Sequence, residues 1–161
     1  MDKKIIFVIV VVILIFLFIK IPPLLNSNEE KIKNIILSAK MATEKEDLLK
    51  CISFVSMDYE DRHGNNRGSL FLIAKNVFRG YSDIFITLEE LEVGIESDAE
   101  AKAQITASGQ GRRVEEQKLD FILDTERVKF DIFFKKEGNA WKVIKLDFLE
   151  PDDFLQLLKG L

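Results

Sequence analysis

From Ile5 to Ile19 the chain holds no polar residue, and beyond Asn28 this block gives way to two rhythms, first helical and then alternating. A helix over those 15 apolar residues spans about 22 Å, short of a hydrocarbon core of ~30 Å. Counting on through Leu25, with Lys20 reaching toward the headgroups and Pro22 and Pro23 at the interface, gives residues 5–25 the length to cross. No small-residue peptidase site follows the run, and Cys51 lies too far downstream to carry a lipid. Residues 1–25 therefore read as an uncleaved signal anchor, and residues 26–28 as a linker. Lys3 and Lys4 favour a cytoplasmic start, which places residues 29–161 outside the cytoplasm, in a periplasm or at the cell surface, as a single-pass membrane protein.

Ser27 and Glu30 have the spacing of a capping box, so a helix starts there, with Ile32, Ile35, Ile36, Ala39 and Ala42 as its buried stripe. Thr43 and Glu46 repeat that signature and predict a second helix carrying Leu48, Leu49, Ile52 and Val55. After a polar loop, Asp58 to Gly68, a third helix is predicted over Leu70, Phe71, Ala74, Val77, Phe78 and Tyr81, with Gly80 as its C-cap.

From Ser82 the period becomes two. Ile84, Ile86 and Leu88 share one parity and Leu91, Val93 and Ile95 the other, so the buried face slips near Glu89 and Glu90, as a β-bulge requires. Ala101 to Ala107 and Leu119 to Leu123 alternate as further strands, with Gly109, Gln110 and Gly111 as the turn between them. Val128, Phe130, Ile132 and Phe134 mark the clearest strand. Lys135 to Asn139 turn the chain into a partner strand, Trp141 to Leu149, whose Ile144, Leu146 and Phe148 face in. Pro151 opens a short terminal helix bearing Phe154, Leu155 and Leu158. Helices first and antiparallel strands after mean an α+β domain, three helices packed on a bent antiparallel sheet.

Charge and composition narrow the function classes. Residues 29–161 keep 20 basic and 26 acidic side chains, a net of −6, which gives no electrostatic reason to seek nucleic acid. One Cys and one His exclude a disulfide framework and the familiar Cys/His zinc sites, which need several such ligands at set spacings. The acidic clusters at Glu89, Glu90 and Glu92 and at Glu115 and Glu116 lack the short-period oxygen ligands of a calcium loop and read as solvated strand faces. The sequence points to no metal and no cofactor.

The layout, with DYEDRHG (residues 58–64) before the third helix and EGNAWKVIKLDF (residues 137–148) closing the sheet, resembles the nuclear transport factor 2-like superfamily (NTF2-like, SnoaL-like, with a cystatin-like fold) over residues 29–150. The resemblance implies a cone-shaped sheet that encloses an apolar pocket with the helices. Ile36, Phe78, Phe121, Phe130, Ile132, Phe134, Ile144 and Leu146 are its expected lining. Aligned to the ketosteroid isomerase branch, Asp61 falls on the general base, and Tyr59 and His63 flank it as an acid/base relay of the kind dehydratases use. The branch's oxyanion-hole tyrosine falls near Leu37, however, and its protonated aspartate near Ile132. Without those donors a developing oxyanion loses its main stabilisation.

The reading that follows is a membrane-anchored binding domain without catalysis. Its expected partners are the bilayer through residues 5–25, a small apolar ligand, and a second copy or another envelope protein. Phe133, facing opposite to its apolar neighbours, is the expected exposed aromatic of such an interface. The alternative is an isomerase, dehydratase or cyclase using Asp61 as general base. Cys51 sits on an apolar helix pattern and reads as an inert thiol, and Trp141 as packing at the sheet edge.

Overall fold

The computed structural model describes residues 27–114, 122–124 and 127–149. The anchor segment, the terminal helix expected from Pro151, and Phe121 lie outside them. Among the described residues no helix is long and apolar enough to cross a membrane.

Helix α1 (Asn28–Glu44) begins where the Ser27 hydroxyl accepts the Glu30 backbone N–H at 3.2 Å, with Glu29 and Glu30 in its positive first turn. Asn28, read as linker, is therefore already helical. Ile32, Ile36 and Ala42 are buried, which confirms the stripe. Thr43 does not open the next helix: its hydroxyl donates to the Ala39 carbonyl at 2.9 Å inside α1. Glu46 turns the chain with a φ of 55°, and Asp47 caps the short α2 (Leu48–Ser53) by accepting the Lys50 N–H at 3.0 Å. Asn66 caps α3 (Arg67–Gly80) in the same way through Ser69. Tyr81, read as helical, has extended backbone and pairs with Arg113, so it starts the first strand instead.

The strands are β1 (Tyr81–Ile95), β2 (Glu100–Arg113), β3 (Ile122–Asp124), β4 (Val128–Glu137) and β5 (Ala140–Phe148). All pairings are antiparallel, in the order β1-β2-β4-β5, with β3 beside the far end of β2. In the centre, Ala101, Ala103, Ile105 and Ala107 stand opposite Phe134, Ile132, Phe130 and Val128 on one side and Ile95, Val93, Leu91 and Leu88 on the other. Register places these residues on one face. The expected slip is present: pairing shifts between Leu88 and Glu90, leaving Glu89 as the extra residue. A bulge there keeps the apolar side chains on the inner face while bending the sheet.

Ile32 and Ile36 of α1 pack with that row, with Phe134 and with Trp141 in one core. The alanines of β2 are small enough to leave the space those larger side chains fill.

Two expectations about the strands are corrected. Gly109, Gln110 and Gly111 are not a turn, because β2 runs on to Arg113 and pairs with the start of β1. A Cβ at Gly111 would meet Tyr81 and Ile84 at 3.7 Å, an ordinary van der Waals contact, so the strand runs through this position without any close approach that demands glycine. In β5, Leu146 and Phe148 pair with the inward Ile132 and Phe130 as expected, but Ile144 does not belong to the inward set. Phe133 pairs with Lys145 but Phe134 with Val143, so Ile144 is an extra residue and the parity flips. Val143 and Trp141 join the core in its place, and Trp141, on the edge strand, is buried there. The β4–β5 hairpin turns through Gly138 and Asn139, where Gly138 has a φ of 60° that a two-residue loop requires of its first position.

Candidate functional site

The segment between α2 and α3 is laid along the free edge of β5. Ser56 N–H donates to the Val143 carbonyl and Val143 N–H to the Phe54 carbonyl, both at 2.9 Å, and Glu60 N–H reaches the Ile144 carbonyl at 3.1 Å. The buried Ser56 hydroxyl bonds Glu137, and Lys142 Nζ donates to the Ser53 carbonyl. Arg67 ties α3 back to this segment through the carbonyls of Val55 and Ile52. The loop that carries Tyr59, Asp61 and His63 thus hangs from a fixed scaffold.

Of these three, the structure brings two together. Tyr59 and Asp61 are both buried, and the Tyr59 hydroxyl donates to Asp61 Oδ2 at 3.4 Å. His63 points its ring outward, because Gly64 turns the chain back at a φ of 76° and breaks the expected alternation. Arg62 Nε donates to His63 Nε2 at 3.3 Å.

Asp61 organises the turn around itself. Its Oδ1 accepts the backbone N–H groups of His63 and Asn65, each at 2.9 Å, and Oδ2 accepts the Asn65 side-chain amide at 2.9 Å. Burial works against its charge, but the bonds from Asn65 and His63 outweigh it and hold the carboxyl below its ordinary pKa. A base so placed is weak, since protonation must displace donors already in contact. Burial and then the Asp61 charge push the Tyr59 hydroxyl the other way, well above the usual tyrosine range. Asn65 is the partner sequence reading missed, although an Asp followed by a Gly and an Asn in a polar loop is the signal of such a turn.

The positions matched to the related enzymes' oxyanion donors are apolar, and one of them faces away. Leu37 lies on the outer side of α1, 44% exposed, while the inward residues of that helix are Ile32, Ile35 and Ile36. Ile132 packs half-buried against the core. Among the expected lining residues, Ile36 and Phe134 are core, Phe130 and Ile132 flank it, and Leu146 pairs with Ile132. Phe78 is half-buried on α3 and Ile144 sits at the bulge.

These flanking residues lead to one end of the sheet. There Tyr81 opens β1 against Arg113, Val128 opens β4, and Phe130 meets Phe148 with ring centroids 5.9 Å apart. Arg62 donates to the Phe148 carbonyl at the same end. Helix α3 joins the loop beside β5 to the start of β1, so it runs across this end.

On the opposite face Phe133 is not the free aromatic expected. Lys102 Nζ and Lys145 Nζ stand 5.5 and 5.2 Å from its ring centroid, held in turn by Asp131 at 2.7 Å and Asp147 at 2.6 Å. Cys51 lies beside the Thr43 hydroxyl at 3.6 Å, and burial pushes its thiol up in pKa, as suits an inert side chain. Among the described residues no three His, Cys, Asp or Glu side chains group to hold a metal ion.

Comparison with solved structures decides the architecture. The chain has the NTF2-like fold. It superposes on an NTF2-like protein of unknown function from Pseudomonas putida with a TM-score of 0.59, at 14% identity over 76% of this chain and 86% of that one. It matches a protein provisionally described as an NTF2-like dehydratase from Streptomyces avermitilis (TM-score 0.61, 13% identity, 74% and 93% covered). It also matches one provisionally described as an aromatic ring hydroxylase from Novosphingobium aromaticivorans (0.64, 16%, 77% and 90%). Bd1075 of Bdellovibrio bacteriovorus matches at a TM-score of 0.59 and 15% identity, and the chain spans only 39% of that longer protein while 73% of this one is covered. No protein-family model and no curated protein sequence matches the chain. Identities this low carry the fold and not the chemistry.

Proposed function

We propose that this NTF2-like domain is a binding module without catalysis, held at a membrane by residues 5–25 with the domain outside the cytoplasm, and that the half-covered apolar end of its sheet takes a small apolar ligand. The observation that carries the reading is the saturation of Asp61. The one acid placed like the general base of related enzymes spends its oxygens on its own loop, and the inner faces of α1 and β4 offer Ile32, Ile36, Ile132 and Phe134 where an oxyanion needs donors. What remains at that end is apolar surface bounded by α3 and by Phe130 and Phe148, the character of a site that holds rather than transforms.

Native mass spectrometry of the detergent-extracted full chain tests this. A small apolar molecule should co-purify, and Asp61→Asn should retain it to the same extent. Release of a chemically altered product by the parent but not by Asp61→Asn would overturn the proposal. That result would favour the enzymatic alternative, an isomerase, dehydratase or cyclase, for which the buried Tyr59–Asp61 contact is the supporting geometry.

A further inference from the structure

Beyond the bulge, residues 90–95 of β1 pair with β2 without a break, and among the described residues no strand lies on their other side. One bond tells which way their backbone groups point. Glu96 N–H donates to the Glu100 carbonyl at 3.0 Å, so along this antiparallel pair Glu90, Glu92 and Gly94 turn theirs to β2, and Leu91, Val93 and Ile95 turn theirs outward. Before the bulge, α1 caps this same side of β1: Glu44 Oε1 accepts the Ile86 N–H at 2.9 Å. Leu91, Val93 and Ile95 have no such cap among the described residues, which leaves a row of N–H and C=O groups ready for a ladder.

The side chains agree. Leu91 and Val93 face the core side yet are only half-buried, and Ile95 is 42% exposed, so the apolar row of the sheet stops unfinished at this edge. Leu37, 44% exposed, shares a helical stripe with Glu44 and with Lys40, whose Nζ stands 5.2 Å from the Phe85 ring centroid. That stripe puts Leu37 on the β1 side of α1, as an apolar wall beside the edge. On the other face of the strand Glu90 and Glu92 are exposed.

We propose that this edge takes one further strand, supplied by another protein as an extended segment in which apolar and basic residues alternate. Its backbone pairs with Leu91, Val93 and Ile95, its apolar side chains lengthen the inner row beside Leu37, and its lysines or arginines meet Glu90 and Glu92. About seven residues, ~23 Å of strand, span the stretch. The edge lies at the opposite end of β1 from Tyr81, away from the apolar sheet end.

Amide hydrogen exchange, followed by NMR on the full chain in zwitterionic lipid nanodiscs, tests it with a capped heptapeptide of alternating lysine and valine as the probe. The amides of Leu91, Val93 and Ile95 should exchange about tenfold more slowly with the peptide present, while those of α3 stay unchanged. The same peptide fully N-methylated keeps its charge but cannot donate to the carbonyls, and it should protect none of them. Nor should a peptide with glutamate in place of lysine. Glu90→Lys combined with Glu92→Lys should weaken the lysine peptide about tenfold. No protection by the first peptide, equal protection by either control, or an unweakened variant overturns the proposal. So does protection brought on by raising the protein concentration without peptide, which would assign the edge to a second copy.

Discussion

Asn65 bonds the Asp61 carboxylate twice, once with its backbone N–H and once with its side-chain amide, each at 2.9 Å. One residue thereby closes the loop on both oxygens of a buried acid. Replacing Asp61 with Ala leaves two backbone N–H groups and an amide facing no acceptor. The cost should be about 2–4 kcal/mol, read as a lower urea midpoint with an unchanged slope. Asn65→Ala removes one donor and should cost about 1 kcal/mol.

The same contact sets a pH dependence. Asp61 is held below its ordinary pKa, and so is Glu44. Partial burial of Glu44 opposes its charge, but the Ile86 N–H at 2.9 Å and Lys40 at 2.6 Å overcome it. A carboxyl with a depressed folded pKa binds its proton more readily when unfolded. Its contribution is complete above the unfolded value and is lost as pH falls through the folded one. Stability should therefore be flat from neutrality to about pH 5 and fall below about pH 4. Glu44→Gln should shallow that fall in urea titrations between those limits, and an identical acid limb would refute the assignment.

The centre of β2 has no room to spare. Ala103 is 0% exposed, between Ile132 and Val93. Ala103→Leu should force α1 away from the sheet at about 1–3 kcal/mol, measured as a lower Tm, whereas Ala103→Ser should be milder.

Phe133 and Phe134 are neighbours with different work. Phe134→Ala opens a hole in the core and should cost about 3–5 kcal/mol. Phe133→Ala loses two lysine contacts on a half-exposed face and should cost about 1 kcal/mol. Equal losses in thermal denaturation would show that the two faces are not divided as described.

How far the sequence revealed this can be judged residue by residue. The slip at Glu89 was legible because apolar parity reports directly which side faces the core. The bulge at Ile144 was not, because Val143, Ile144 and Leu146 are all apolar and period alone cannot choose between them. Thr43 and Asp47 both suit a cap, and only the turn at Glu46 settles which one is used. The glycines at 109 and 111 signal a turn by composition, yet β2 runs through both, because their pairing with Ile86 of β1 and Leu123 of β3 is a long-range demand invisible locally. At the site, the position of Asp61 in its loop was readable. Its saturation by Asn65 and the outward position of Leu37 depended on chain reversal and helix rotation, which a pattern constrains loosely.

The bulge at Glu89 has a further effect on how the molecule behaves in company. β1 is the outer strand of the sheet, 15 residues long, and a flat ribbon of that length would invite another chain to zip onto it. Two register breaks divide it, and the run of Glu89, Glu90 and Glu92 sets like charges wherever two such margins would meet. Crowded side by side, neighbouring copies should repel along this margin and remain separate rather than polymerise.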